Sequence, residues 1–534
     1  MPAESQHVLA IDLGTSACKV ALVSTRGEVV AYDQEETEPH LLPGGGAEQD
    51  PDQWWEIIGR VSRRLLERGI VRADSVEAVC ATAQWSGTVA VDAGGRPLRD
   101  AIIWMDTRGA AQVAKVSRGL VNIQGYGATK ILRWIRLTGG APGKSGKDPI
   151  AHILWLREEE PSTYRDTAVF LEPKDYLNLR MTGRAAASFD SIALHWVTDN
   201  RKPSNVTYHP ALLRVLGVDR EKLPDLLPAT DVLGPLTRSA AFDLGVPEGI
   251  SVVVGTPDVQ SAAIGSGATR DFQAHLYVGT SSWLTCHVPF KKTDLFHNIA
   301  SLPSAIPGRY LIANEQESAG VCLTFLRDRL FLAGDGLLPP EGLEAARSGA
   351  YRNFDDLVAS TVPGAGGALF TPWLYGERTP VEDASIRGGF HHLSLSTTRA
   401  ELIRSVFEGV ALNSRWLLEA VERFSRHRLD PIRFIGGGAR SGVWSQIFAD
   451  ALGRTIEGVK DPVNANARGA GMLAAAALKD VTFDEMSDRI PVAARFDPDP
   501  KNGPLYDDLF REFVATYRRD RKPHQRMARG RSQA

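Results

Sequence analysis

The chain has 534 residues, enough for two or more domains that each bury a core. Hydrophobic residues make up 43% and charged residues 23%, and 61 Lys+Arg against 64 Asp+Glu leave a formal charge of -3, so no global basic field directs the protein to nucleic acid or anionic lipid. Cys18, Cys80, Cys286 and Cys322 stand far apart without a CxxC spacing, which argues against a disulfide framework or a zinc site and for a reducing compartment.

The opening MPAESQHVLAID lacks the basic-then-apolar order of an export signal, and no apolar run approaches the roughly 18 residues of a spanning helix, so a soluble cytoplasmic protein is expected. VLAI predicts a buried strand. After Gly14-Thr15-Ser16, CKVALV and EVVAYD predict two more strands around a Thr25-Arg26-Gly27 turn, with no helix between them. A helix from Pro51 to about Leu66 follows, then strands VEAVCATA and TVAVD around Gln84-Trp85-Ser86-Gly87. Residues 139–149, GGAPGKSGKDP, read as a loop, and helical patterns such as AHILWLREEE and PKDYLNLRMTG dominate until the strand ISVVVG at 250–255. Past a glycine-rich segment from Ile264, HLYVGTSSWLTCHV repeats the opening pattern, which predicts two domains of similar plan with a boundary near 265–275. The second runs through the amphipathic helix AELIRSVFEGVALNSRWLLEAV and the strand RFIGGG to helices around GAGMLAAAAL. From Arg511 the basic tail predicts a solvated helix that frays into a disordered end.

Three turns are candidates for an oxygen anion. Gly14-Thr15-Ser16 either converges N–H groups and hydroxyls on a phosphate, with Asp12 ahead of it on a divalent cation, or is an ordinary hairpin turn. Gly279-Thr280-Ser281 repeats that chemistry, and two such loops can face each other across a cleft. Gly436-Gly437-Gly438 either admits a flat ligand such as a nucleotide base or serves helix–sheet packing; Ser441 stands where GxGxxG needs glycine. Gly143-Lys144-Ser145 is not a Walker A loop, because Thr138 occupies the first glycine position. Asp258, where a strand ends and Pro257 starts a helix, is either a general base or a helix cap. Trp85 and Trp104 suit stacking on a sugar, with Gln84, Asp106 and Arg108 bonding its hydroxyls, or else belong to the core. His391-His392 has no further ligand at metal spacing and reads as structural.

In order, AIDLGTS, AEQDPDQWW, AIIWMDTR, ILWL, PKDYLNLRMTG, TPDVQSAAIGSGA, VGTSSW, GERTP with RGGFHHL, RSVFEGVALN, and IGGGARSGVWSQIFADALG with NARGAGMLAA resemble the FGGY family of carbohydrate kinases over about residues 7–480. The resemblance implies an α/β fold of two ribonuclease H-like (actin/hexokinase-like ATPase) domains around a central cleft. It implies an N-terminal sugar-binding domain at 1–268, a nucleotide-binding domain at 269–500 and a basic helix or tail at 501–534. By the same resemblance Asp12 works with Mg²⁺, Gly14, Thr15, Ser16 and Lys19 lie near the ATP phosphates, and Gly279, Thr280 and Ser281 face the γ-phosphate. Gly437, Gly438, Ala439, Ser441 and Asn466 form the adenosine side, Asp258 is the general base, and Gln84, Trp85, Ser86, Trp104, Asp106, Arg108 and Asp258 meet the sugar.

Within the family the chain looks most like the xylulokinases, so the expected reaction is ATP-dependent phosphorylation of a terminal ketose hydroxyl, with D-xylulose the first choice. Trp85-Ser86 replaces the Met-His of that group and His152 the usual lysine, so another pentulose, a larger ketose or a polyol stays open. An actin- or Hsp70-like conformational ATPase is the alternative of another class, and a silent sugar-binding regulator a third. The family makes a homodimer an expectation, with no nucleic-acid or membrane partner.

Overall fold

Strand β1 (His7–Leu13) is buried along its whole length, as a central strand covered on both faces must be. The structure is a computed structural model and describes residues 6–335 and 342–531. Strand β1 pairs antiparallel with β2 (Ala17–Ser24), and β2 pairs antiparallel with β3 (Val29–Glu36). Helix α1 (Pro51–Leu66) lays Trp54, Ile58, Val61 and Leu65 into the core under this sheet, and the Asp50 side chain caps it by accepting from the Asp52 amide. On its other edge β1 runs parallel to β4 (Val76–Ala83), and β4 runs parallel to β5 (Ser251–Val253). Helix α2 (Asp258–Ser266) follows at once.

The second half rebuilds the same sheet. Strand β6 (Ala274–Val278) pairs antiparallel with β7 (Ser282–Val288), which pairs antiparallel with β8 (Tyr310–Ala313). Strand β9 (Ile432–Ile435) is parallel to β6, and β10 (Ile456–Val459) is parallel to β9. Both sheets therefore read 3-2-1-4-5 in strand order, the ribonuclease H-like plan expected, with extra edge strands outside. Helices α3 (Arg399–Ser425) and α4 (Gly442–Leu452) supply much of the second core.

A helix pair joins the halves. Helix α5 (Ala465–Ala477) belongs to the second half by sequence, yet Ala467, Ala470, Met472 and Leu473 share a core with Val8, Ala10, Ala21 and Val23 of the first sheet. It crosses α2, where Ser261 Oγ donates to the Asn466 carbonyl at 2.7 Å and Arg468 Nη1 to the Gly265 carbonyl at 3.1 Å.

Two expectations need correction. The tail is a helix, α6 (Gly503–Arg531), but not a freely solvated one: Tyr506, Phe510, Phe513 and Tyr517 enter the second core, with the Phe513 ring 5.1 Å from that of Trp373. Its apolar stripe outweighed its basic composition, because a helix buries one face whatever the other carries; residues 532–534 lie outside the described part. The region read as mainly helical before residue 250 also holds six strands of two to four residues, from Val169–Leu171 to Val232–Pro235, too short to show a period. His391 and His392 bond Thr371 Oγ1 and the Gly367 carbonyl, in keeping with a structural role.

Candidate active site

The carboxyl ends of β1, β4 and β5 lie together, the place where open α/β sheets bind ligands. The Gln84 amide donates to the Leu13 carbonyl at 2.8 Å and extends the β1–β4 ladder into the first turn. Thr15 Oγ1 there donates to Gln84 Oε1 at 3.1 Å and accepts from Trp104 Nε1 at 2.8 Å. Gln49, absent from the expected set, completes the net: it donates to the Thr15 carbonyl at 2.8 Å and accepts from Gln84 Nε2 at 2.7 Å. The first turn and two of the residues expected to meet a sugar, Gln84 and Trp104, are thus one hydrogen-bonded unit. Ser16 is exposed, and among the described residues nothing engages its hydroxyl.

Asp12, next to last in β1, is 9% exposed. Burial raises its pKa; the Lys19 ammonium and a hydrogen bond from the Asn466 side chain on α5 act against the rise. Lys19 Nζ reaches across to the Val463 carbonyl at 2.6 Å, so the lysine ties the halves together while remaining beside Asp12. A carboxylate so desolvated, with no arginine upon it, suits a divalent cation that keeps its waters and takes one protein oxygen. Among the described residues no group of three or more acidic, His or Cys side chains forms a protein-only metal cage.

Asp258 opens α2, and its Oδ1 accepts from the Val259 amide at 2.8 Å. Its pKa is raised to about 7, by burial first and then by the Asp12 charge; amide bonds from Val259 and Trp85 oppose the rise, while Glu315 adds to it. Asp258 keeps some surface, but segments from both halves enclose its carboxyl, which is why burial leads. The Trp85 indole donates to the Ser191 carbonyl at 3.0 Å, and Ser86 Oγ donates to the Lys147 carbonyl at 2.8 Å. Both side chains anchor the loop that presents the Trp85 amide to Asp258. Asp106 and Arg108 are joined, Arg108 Nε donating to Asp106 Oδ2 at 2.8 Å, with Arg108 also on Glu48 and over the Trp155 ring.

From the second half, the β6–β7 turn carries Gly279, Thr280 and Ser281, and among the described residues both hydroxyls are free of hydrogen bonds. Burial, then the Asp258 and Asp12 charges, push the Tyr277 phenol up, which puts this hairpin beside both carboxylates. After β9, a Cβ at Gly438 would strike Val278 Cγ1 at 2.8 Å, whereas one at Gly437 would meet nothing within 4 Å. Packing accounts for Gly438, while Gly437 borders open space beside Ala439. Ser441 caps α4: its Oγ accepts from the Trp444 amide at 3.0 Å and donates to Asp355 Oδ1 at 2.7 Å. Ser441→Ala is expected to cost about 1 kcal/mol in urea unfolding. A weakened nucleotide Kd at unchanged stability would instead make Ser441 a ligand contact.

Lys147, Glu315, Glu317 and Arg378 also converge here: Arg378 pairs with Glu315 and, at 2.8 Å, with Glu317, and Lys147 lies 4.0 Å from Glu317. The GERTP segment was the sequence signal for Arg378; nothing local marked Lys147.

The sequence pattern of the N-terminal domain of the FGGY family of carbohydrate kinases matches residues 7–265, and that of the C-terminal domain residues 275–478. A xylulose kinase of Staphylococcus epidermidis is 29% identical over 518 residues, 96% of this chain and 97% of that one. The ligand-bound xylulose kinase of Lactobacillus acidophilus superposes with a TM-score of 0.84 at 21% identity, over 98% of this chain and 100% of that chain. A gluconate kinase of the same organism reaches the same TM-score, 0.84, at 22% identity and the same coverage, 98% and 100%. Superpositions at such identity speak for the fold alone, and equal scores under two substrate names return the question of substrate to the site.

Proposed function

The chain belongs to the FGGY family of carbohydrate kinases, and from that premise we propose that it transfers the γ-phosphoryl group of ATP to a terminal hydroxyl of a ketose, D-xylulose first. The likeness to xylulose kinases at 29% identity supports the choice of sugar. The observation that carries the reaction is the Asp258 carboxyl, tuned to about 7 and set beside Asp12 and the Tyr277 hairpin. A carboxylate with that affinity for protons is matched to taking one from an alcohol at neutral pH.

The substrate hydroxyl gives its proton to Asp258 as its oxygen forms the new bond to phosphorus and the bond from the γ-phosphorus to its leaving oxygen breaks, releasing ADP. The Val259 and Trp85 amides hold the carboxylate's orientation throughout. The turns at Gly14–Ser16 and Gly279–Ser281 offer amides and the free Ser16, Thr280 and Ser281 hydroxyls to phosphate oxygens, and Gly437 and Ala439 border the adenosine. Asp12 would hold Mg²⁺, which when bound neutralises charge on the phosphates. Gln84 and Trp104 face the sugar, and closing the halves about α2 and α5 excludes water. A cytoplasmic, homodimeric enzyme fits this reading, and no helix among the described residues is long and apolar enough to cross a membrane.

The test is ATP consumption with Mg²⁺ over a panel of ketoses, aldoses and polyols, with the phosphorylated position read by ³¹P NMR. D-xylulose is expected to give the highest kcat/KM and a terminal phosphate ester. ADP release indifferent to every sugar would favour the conformational ATPase instead.

A further inference from the structure

Lys147 sits where a lysine side chain is expensive to keep. It is 14% exposed, and among the described residues no hydrogen bond reaches its ammonium. Its Nζ lies 5.5 Å from the centre of the Trp104 ring and 5.8 Å from that of Tyr375. Glu317 is 4.0 Å away, beyond hydrogen-bond reach, and Arg378 already holds that carboxylate through Nε at 3.0 Å and Nη2 at 2.8 Å. The three ammonium donors are thus without a protein acceptor among the described residues, on a side chain that is mostly buried but keeps some surface, and an oxygen of a bound molecule can take them.

The position is built. Ser86 Oγ fixes the Lys147 carbonyl, and the neighbouring Asp148 is anchored by the Trp196 indole at 2.7 Å and by the Gly143 amide. The same 84–87 loop gives its Trp85 amide to Asp258, and Trp104 gives its indole N–H to Thr15. Burial, then the like charge of Arg378, hold the Lys147 pKa below the ordinary lysine value, as suits a donor awaiting a partner.

Resting on the sugar-kinase reading above, we propose that Lys147 is a substrate-contacting residue that sets which sugar is accepted, its ammonium donating to oxygens of a neutral sugar held between Trp104 and Asp258. Glu315 and Glu317 act on the ammonium and Arg378 offsets them, so the position carries no net positive charge that would call for a sugar with its own carboxylate.

The experiment measures steady-state kinetics of the full chain and of Lys147→Met and Lys147→Gln, with the best sugar, its monodeoxy analogues and the corresponding aldonic acid. Lys147→Met is expected to raise the sugar KM roughly 10- to 100-fold, the worth of a charged donor's hydrogen bonds, with most of the loss in KM and the KM for ATP little changed. One deoxy analogue should bind the wild type more weakly but the variant no more weakly than the parent sugar does. Lys147→Gln, which keeps a donor, should recover part of the loss and guards against a folding defect in the methionine variant. An unchanged sugar KM in a folded variant, a loss confined to kcat, or a wild-type preference for the aldonic acid would overturn the proposal alone. If the wild type turned over no sugar, the underlying kinase reading would fall first, and that result is visible before any variant is made.

Discussion

Asp258→Asn is expected to lower kcat by roughly 10²- to 10⁴-fold, the usual worth of a general base, while ATP binding and the fold persist. The exchange keeps an acceptor oxygen for the Val259 and Trp85 amides and removes only the proton-accepting charge. In the wild type the ionised, active form of Asp258 grows as pH rises through about 7, so kcat/KM should climb across that range, and the Asp258→Asn variant should lose the limb. Stability moves the other way. The folded pKa lies above the ordinary carboxylate value, so between about 4 and about 7 the folded chain keeps a proton that the unfolded chain releases, and stability from this group falls as pH rises through that window. Asp258→Asn should therefore gain thermal midpoint relative to wild type at pH 8 and gain less at pH 5. Near-normal turnover in that variant would remove Asp258 from the chemistry.

Gly265→Ala carries the second large effect, because the α2–α5 crossing has no room for a methyl group. A Cβ on Gly265 would lie 1.7 Å from the Ala465 carbonyl oxygen, and one on Gly469 would lie 1.9 Å from the Ser261 carbonyl oxygen. Both obstacles are backbone, so the helices themselves must part, whereas a clash with a side-chain tip relaxes by a rotamer change. Overpacking of this kind costs roughly 1–3 kcal/mol and sometimes more, and Gly265→Ala and Gly469→Ala should each fall at or above the upper end in chemical unfolding. Parting the helices also moves Asn466, whose carbonyl bonds Ser261 and whose side chain bonds Asp12, so turnover should drop even where the variant remains folded. Gly437→Ala, at a position that borders open space, is the control expected to leave stability within about 0.5 kcal/mol. Wild-type stability in Gly265→Ala and Gly469→Ala would show that the crossing is looser than this geometry states.

The sequence by itself determined the features that repeat over a few residues: the three-strand opening of the first half and the two-strand hairpin that echoes it in the second, the twin Gly-Thr-Ser turns, α1 from Pro51 to Leu66, and the seats of Asp12 and Asp258 at the ends of apolar strands. These follow from local period and turn chemistry, which short windows record. Tertiary structure alone decided where each polar side chain ends. Thr15 spends its hydroxyl on Gln84 and Trp104, Ser441 on its cap and Asp355, Asp106 on Arg108, and Lys147 meets Trp104 and Glu317. Most of these partners stand tens to hundreds of residues apart, and a hydroxyl or a charge carries no sign in its own sequence of which distant group will neighbour it. Packing of the two sheets about α2 and α5 makes that choice, and the same packing buries the aromatic face of a tail whose composition alone spoke for solvent.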